Sequence, residues 1–301
     1  MDQFINSIIG LKFVFTIARF TPPWFGYLVA RIAARWISSR HETAMVRAVR
    51  SNQMVVAGGE LPPKTLDQAV RGVFNYTARS IYDLYHHVHD LNKAGHLFMI
   101  EQSFQPLIDR PKFDQCGLIV VGIHMSGFDL AAQWLCMNGI DLLALTIPNP
   151  EGGRWIEFEM RKRTVINLVP GSVNGLRQAI RYLKQGGMVI TGIDRPQEVY
   201  HPRPRFFGRP AALPTHHIFL ALKAQVPVVV AASRLDEDRL YHLYASDPIE
   251  MDPYPDRTHA LLYNTEKVLA VAEDFIRKAP QQWLISLPVW PEHMESTYPI
   301  E

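Results

Sequence analysis

From residue 65 to residue 90 the apolar positions Leu66, Val70, Val73, Ile81 and Leu84, with Thr77 in register, recur at the spacing of one helical face. The pattern then changes to short runs rich in β-branched residues: GLIVVGI at 117–123, DLLALTI at 141–147, TVINLV at 164–169, MVITGI at 188–193 and VPVVVAAS at 226–233. Helical patterns separate these runs at 130–137, 154–163, 174–184 and 217–224. A further strand is expected at 241–246 and a long final helix at 260–277. Runs that are apolar on both faces and alternate with helices predict an α/β fold with a mainly parallel central sheet flanked by helices. No internal repeat or linker divides the chain. One α/β domain, 61–301, is therefore expected to follow a helical extension, 1–60.

The extension has a pattern of its own. Residues 4–18 are apolar but broken by Lys12, and they fall short of the ~20 residues that a spanning helix needs. No small-residue cleavage site follows, which argues against a secretory signal. At 24–36, WFGYLVARIAARW sets Trp24, Tyr27 and Trp36 beside Arg31 and Arg35, a composition suited to helices lying in a bilayer interface. A pair of core-packing helices and a single tilted span are the alternatives. Charge favours the interface. The chain carries only +2 overall, yet in its first fifty residues Lys12, Arg19, Arg31, Arg35, Arg40, Arg47 and Arg50 face only Asp2 and Glu42. A basic, aromatic and apolar end is attracted to an anionic surface, membrane more than nucleic acid. With 48% hydrophobic and 20% charged residues in 301, the chain is a folding one with enough length for a substantial core. Its two cysteines, Cys116 and Cys136, sit in apolar surroundings and read as reduced core thiols.

Reactive groups in such sheets gather at the carboxyl ends of strands. The segment GLIVVGIHMSGFDLAAQWL puts His124 at a strand end and Asp129 in the first turn of the next helix, across a tight Ser126-Gly127 turn. A carboxylate bonded to one ring nitrogen would fix the tautomer and leave the other nitrogen as a base. Such a base suits acyl transfer, because an alcohol is a poor nucleophile until its proton is taken. The competing reading makes Ser126-x-x-Asp129 a helix capping box with Asp in place of Glu. Elsewhere, Arg195, Arg203, Arg205 and Arg209 surround Phe206-Phe207-Gly208, either as phosphate ligands or as a solvated basic loop. Pro170-Gly171-Ser172 reads as an ordinary turn and helix cap. His86, His87 and His89 with Asp90 read as surface residues rather than metal ligands. His216 and His217 are assigned nothing beyond lining a pocket. There is no G-x-S-x-G elbow, which weighs against a serine hydrolase.

H-x-x-x-x-D directly after a buried strand resembles the signature of the glycerolipid acyltransferase superfamily. Residues 65–290 are similar to the branch of bacterial lipid A lauroyl/myristoyl and phosphatidylinositol mannoside acyltransferases. The blocks occur in that branch's order: Arg161-Lys162-Arg163, the strand MVITGI with Asp194-Arg195, Phe206-Phe207-Gly208 with Pro214, Val226-Pro227-Val228, and Gln282-Trp283. Ile123 before His124, and GIDRPQE in place of a Phe-Pro-Glu-Gly-Thr-Arg block, set the chain apart from 1-acylglycerol-3-phosphate acyltransferases. The resemblance implies catalysis by His124 and Asp129, with Glu198 as a further acid. It implies substrate binding by Arg161, with Arg163 as its alternate, and by Asp194, Arg195, Arg205 and Ser126. It also implies acyl-CoA or acyl carrier protein as donor, a lipid or glycolipid hydroxyl as acceptor, and no metal or tightly bound cofactor. The protein is expected on the cytoplasmic face of the inner membrane, peripheral or monotopic, with no nucleic acid partner. Two other readings are a non-catalytic lipid or acyl-CoA binder of the same fold and an acyl thioesterase.

Overall fold

The computed structural model describes residues 18–111, 114–146, 166–197 and 202–294. Its helices are α1 (Pro23–Ser38), α2 (Ala44–Val56), α3 (Pro63–His87), α4 (Gln105–Ile108), α5 (Phe128–Met137), α6 (Val173–Lys184), α7 (His216–Ala224) and α8 (Arg257–Lys278). Its strands are β1 (Phe98–Ile100), β2 (Leu118–Gly122), β3 (Leu142–Thr146), β4 (Asn167–Pro170), β5 (Met188–Gly192), β6 (Arg205–Phe206), β7 (Arg209–Pro210), β8 (Val228–Leu235) and β9 (Tyr241–Ala245).

Alternation along β2 explains the layering. Ile119, Val121 and the following Ile123 enter one core with Ile218 of α7 and Val268 and Leu269 of α8. Leu118 and Val120 enter the other, with Leu130 and Leu135 of α5 and Leu243 of β9. A strand covered on both faces must be apolar at every position, which is why GLIVVGI reads as a continuous run. Seven strands lie in the order β1-β9-β8-β2-β5-β3-β4. All neighbours are parallel except β8 and β9, which form a hairpin. The fold is thus α/β with a mainly parallel central sheet flanked by helices. β6 and β7 make a separate antiparallel pair against α8, whose Glu266 accepts from the Arg205 amide at 2.8 Å.

The expected elements mostly appear. The long helical face runs from Pro63 to His87, and the last helix begins at Arg257, capped by Asp256, whose carboxylate accepts from the His259 amide at 2.6 Å. Ser172 caps α6 by accepting from the Gly175 amide at 3.2 Å. Strand β1 was not expected. Three residues carry no periodicity, and they are extended because they pair in parallel with β9, Phe98 opposite Tyr241. The helix expected at 154–163 lies outside the described residues.

The first of the amino-terminal helices packs against this body through an inverted pattern, whereas α2 buries Val46 and Val49 against Leu66, Val70 and Phe74 of α3. α1 turns its small residues Gly26, Ala30 and Ala34 inward, so closely that a Cβ on Gly26 would lie 2.1 Å from the Tyr82 ring. Its large apolar residues face out, Trp24 being 69% and Ile32 62% exposed. That is the opposite of a core-packing helix, whose bulky side chains point inward. Among the described residues no helix is long and apolar enough to cross a membrane. α2 is joined to the carboxyl-terminal segment by Asn52, whose amide donates to Leu287 O at 2.9 Å and accepts from the Val289 amide at 3.1 Å.

Asp83 on α3 ties the pieces together. Its buried carboxylate accepts from Tyr27 Oη of α1 at 2.7 Å and from Tyr241 Oη of β9 at 2.5 Å, and Arg79 Nε lies 3.6 Å away. Burial pushes this carboxyl above its usual range, against the opposing effect of the two tyrosine hydrogen bonds and Arg79. Replacing it leaves the buried Tyr241 hydroxyl and the half-buried Tyr27 hydroxyl without their acceptor and removes the carboxylate beside Arg79. Asp83→Ala is therefore expected to lower unfolding free energy by about 3 kcal/mol, read from urea melts. An unchanged midpoint would show that the junction contributes nothing.

Candidate active site

Parallel pairing of β2 with β5 sets Leu118 opposite Met188 and Gly122 opposite Gly192. Both strands end in Gly-Ile, so the next residues, His124 and Asp194, emerge at the same height on the carboxyl edge of the sheet. There the Asp194 carboxylate meets the histidine twice. Nδ1 of the ring is 2.6 Å from Oδ1, and the His124 amide donates to Oδ2 at 2.9 Å. Gly192 leaves room for the ring: a Cβ there would lie 3.0 Å from His124 Cε1.

Asp194 is fully buried, whereas the His124 side chain is 22% exposed. Burial alone would raise the Asp194 carboxyl. The charge of His124, hydrogen bonds from its ring and amide, and one from Trp283 outweigh that and hold it below its usual 3.8. The arrangement is a carboxylate holding Nδ1–H and leaving Nε2 as the nitrogen free to take a proton.

This differs from the pairing expected with Asp129. Asp129 has been carried into the first turn of α5, where it accepts from the Gln133 amide at 3.3 Å, while Nδ1 is engaged by Asp194. Five residues of turn and helix direct Asp129 along α5, whereas equal offsets from two paired strands direct Asp194 at the ring. The capping box is not formed either. The N-cap of α5 is Gly127 with no side-chain cap, and the buried Ser126 Oγ has no hydrogen-bond partner among the described residues. Ser126 contributes its carbonyl instead, accepting from Ser233 Oγ at 2.6 Å. Gly127 is required twice over, by its φ of 75° and because a Cβ would fall 2.6 Å from the Tyr241 ring. Its amide donates to Ser80 Oγ at 3.1 Å.

Of the other expected residues, Arg161, Arg163 and Glu198 lie outside the described residues. Arg195 follows Asp194 and is half-buried. Arg205 belongs to the β6–β7 hairpin against α8 and has an exposed side chain. On α7 His217 is buried and His216 half-buried, with His216 Nε2 2.9 Å from Thr191 Oγ1 and its ring pushed down to about 4 by desolvation. His86 Nδ1 donates to Ala18 O at 2.7 Å and the ring stacks on Tyr82, so it helps to seat the segment before α1. Among the described residues no three His, Cys, Asp or Glu side chains could hold a metal ion.

Two features were not read from the sequence. Phe128 packs edge-on against the His124 ring, centroids 4.7 Å apart, and also borders a cavity of about 100 Å³. The cavity runs between β2, β5 and α5 and is walled by Leu107, Val120, Leu135, Leu142 and Met188, with Ser233 the one polar side chain among the described residues that line it. The second is Trp283. Its indole Nε1–H donates to Asp194 Oδ2 at 2.8 Å, while the Leu284 amide donates to the His124 carbonyl at 2.8 Å. The shared Gly-Ile ending of two apolar runs is a sequence signal for the His124–Asp194 pair. Trp283 had only its place beside Gln282.

A family model described as bacterial lipid A biosynthesis acyltransferase matches residues 4–291. No curated protein matches. Among solved structures, the 1-acyl-sn-glycerophosphate (LPA) acyltransferase PlsC from Thermotoga maritima is similar at 17% identity and a TM-score of 0.38, covering 86% of this chain and 98% of that one.

The Asp194 shift fixes a pH dependence. A carboxyl whose folded value is depressed stabilises the fold above its unfolded value, and that contribution disappears as pH falls through the folded value. Asp194→Asn should therefore be less stable than the wild type near pH ~6, with the gap closing below pH ~4. Urea midpoints of both proteins across that range measure it, and a gap independent of pH would contradict the depressed carboxyl.

Proposed function

The chain belongs to the bacterial lipid A biosynthesis acyltransferase family, an O-acyltransferase family acting on lipid substrates, and we propose a specific reaction for it. An acyl group passes from a thioester, acyl-CoA or acyl carrier protein, to a hydroxyl of a membrane lipid or glycolipid at His124. The observation that carries this reading is the 2.6 Å contact of His124 Nδ1 with buried Asp194 beside an apolar cavity. Asp194 holds the Nδ1 proton and orients the ring. Nε2 takes the proton of the acceptor hydroxyl as its oxygen attacks the thioester carbonyl carbon. A C–O bond forms, the C–S bond breaks as the tetrahedral intermediate collapses, and the imidazolium returns the proton to the leaving thiolate. Backbone amides or an arginine stabilise the oxyanion. We assign Asp129, on the same turn as His124, to the acceptor side of the site, since the ring nitrogen it was expected to hold is engaged by Asp194. The apolar cavity receives the start of the acyl chain, with Phe128 between chain and base.

The outward face of α1 supports attachment to a lipid surface. Trp24, Leu28 and Ile32 lie one turn apart on one side, with Phe25, Val29 and Trp36 beside them, and all are exposed. A contiguous apolar patch of this kind marks an interaction site, and the basic extension matches an anionic bilayer. On this reading the protein sits peripherally on the cytoplasmic face of the inner membrane, where lipid acceptor and thioester donor meet.

Incubating the purified protein with radiolabelled acyl-CoA and total membrane lipids tests the reaction. A labelled lipid ester is expected. His124→Ala should abolish its formation, and Asp194→Asn should lower kcat about 10²- to 10⁴-fold. Free fatty acid formed without any acceptor would indicate a thioesterase, and binding without any product a non-catalytic protein. In flotation with anionic vesicles, Trp24→Glu with Ile32→Glu should lose most bilayer binding while keeping the wild-type melting temperature. Unchanged flotation would remove α1 as the attachment surface.

A further inference from the structure

The Asp194 carboxylate has more to satisfy than one histidine. It is fully buried, and a buried anion is costly unless its lone pairs are hydrogen-bonded. Oδ1 is engaged by the His124 ring; Oδ2 accepts from the His124 amide and from the indole of Trp283. Among these donors Trp283 is the one that comes from neither the histidine nor the sheet. It is 1% exposed and arrives from the segment after α8, ninety residues from the strand that carries the aspartate.

Its placement is fixed from two sides. On the backbone, Trp283 forms an antiparallel bridge with Met125, and the Leu284 amide donates to the His124 carbonyl at 2.8 Å. The two segments on either side of the carboxylate are thereby held to each other. On the side chain, the indole packs against an aromatic group made by Phe206, Phe207 and Trp290. Phe206 meets it edge-on with centroids 5.8 Å apart, and Trp290 lies 6.3 Å away. Next to it, Gln282 holds both the amide and the carbonyl of Leu235, at 2.7 and 2.8 Å, and so pins the segment to the end of β8. The indole has no freedom to swing away from Asp194. The indole N–H is the second donor on Oδ2, and together with the His124 amide it fixes the rotation of the carboxylate about its Cβ–Cγ bond, and with it the direction in which Oδ1 faces Nδ1.

We infer that Trp283 is a positioning residue for the His124–Asp194 pair, acting through its indole N–H on the carboxylate, and that the Phe206-Phe207 segment serves as its support. The inference rests on His124 being the base. Being buried, Trp283 touches neither donor nor acceptor, so its effect must fall on kcat and not on KM. Removing the N–H also concentrates negative charge on the carboxylate, which favours the imidazolium.

Three replacements separate the donor from the packing. Trp283→Phe keeps an aromatic ring without a donor, and Trp283→Tyr restores a hydroxyl donor. Site-specific incorporation of 3-benzothienylalanine at 283 keeps indole size and shape but has sulfur in place of N–H. Steady-state acyl transfer is followed from pH ~5 to pH ~9 with melting temperature recorded for each protein. The expected result is a 10- to 100-fold lower kcat for the benzothienyl protein, an unchanged KM for acyl-CoA, and an acid limb displaced to higher pH. Trp283→Tyr should recover activity over Trp283→Phe. A folded benzothienyl protein with wild-type kcat and pH profile overturns the inference, whether or not the phenylalanine variant folds. If His124→Ala itself retains full activity, it is the base assignment that fails. If His124→Ala and Asp194→Asn are inactive while the benzothienyl protein is normal, only the role of Trp283 falls.

Discussion

Two parallel strands hydrogen-bonded in register hold their ends at one level, and in this protein the contact of His124 with Asp194 depends on that constraint. β2 and β5 are paired from Leu118–Met188 to Gly122–Gly192. The residues two steps beyond each strand therefore meet across the sheet edge without any loop having to search for the geometry. A slip of one residue would reverse which side chains face each core and would bring Ile193 or Ile123 where a polar partner is needed. The apolar side chains of β2 fix that register, because Ile119 and Val121 fill one core and Leu118 and Val120 the other. Packing in the interior and hydrogen bonding at the edge are thus two readings of the same alignment.

How much of this was legible in the chain follows from the range of each signal. The sheet, its parallel character and the helices that cover it are local patterns, and they were readable as such. His124 was readable because a polar residue ending an apolar run is conspicuous. Its contact with Asp194 was not read, because Asp129 is close in sequence and Asp194 is not. The equal Gly-Ile endings that join His124 to Asp194 are a non-local cue, useful only once the two strands are known to be neighbours. Strand β1 and the tie from Trp283 share that difficulty: neither has periodicity, and each exists through a pairing with a distant segment. The family resemblance supplied the order of the blocks but not which carboxylate touches the ring.

The two sides of the sheet carry different kinds of order around the site. On the side of α5 the core opens into a small apolar cavity, bounded by side chains of β2, β5 and α5, with Phe128 both lining it and packing on the histidine ring. On the other side the packing is closed by rings, with Phe206, Trp283 and Trp290 all buried. The small cavity and the aromatic wall lie on opposite flanks of one hydrogen-bonded His124–Asp194 pair. Space for a substrate therefore does not come at the expense of the stiffness that holds the carboxylate.

Asp83 joins α1 to β9 through two tyrosine hydroxyls, and Tyr241 of β9 also lies against Gly127 in the turn after His124. The outward apolar face of α1 and the turn that follows the histidine are therefore joined through one buried carboxylate and one tyrosine. A surface that gripped Trp24 and Ile32 would set the compass bearing of the histidine as well, making orientation on a partner and direction of approach to the imidazole a single degree of freedom.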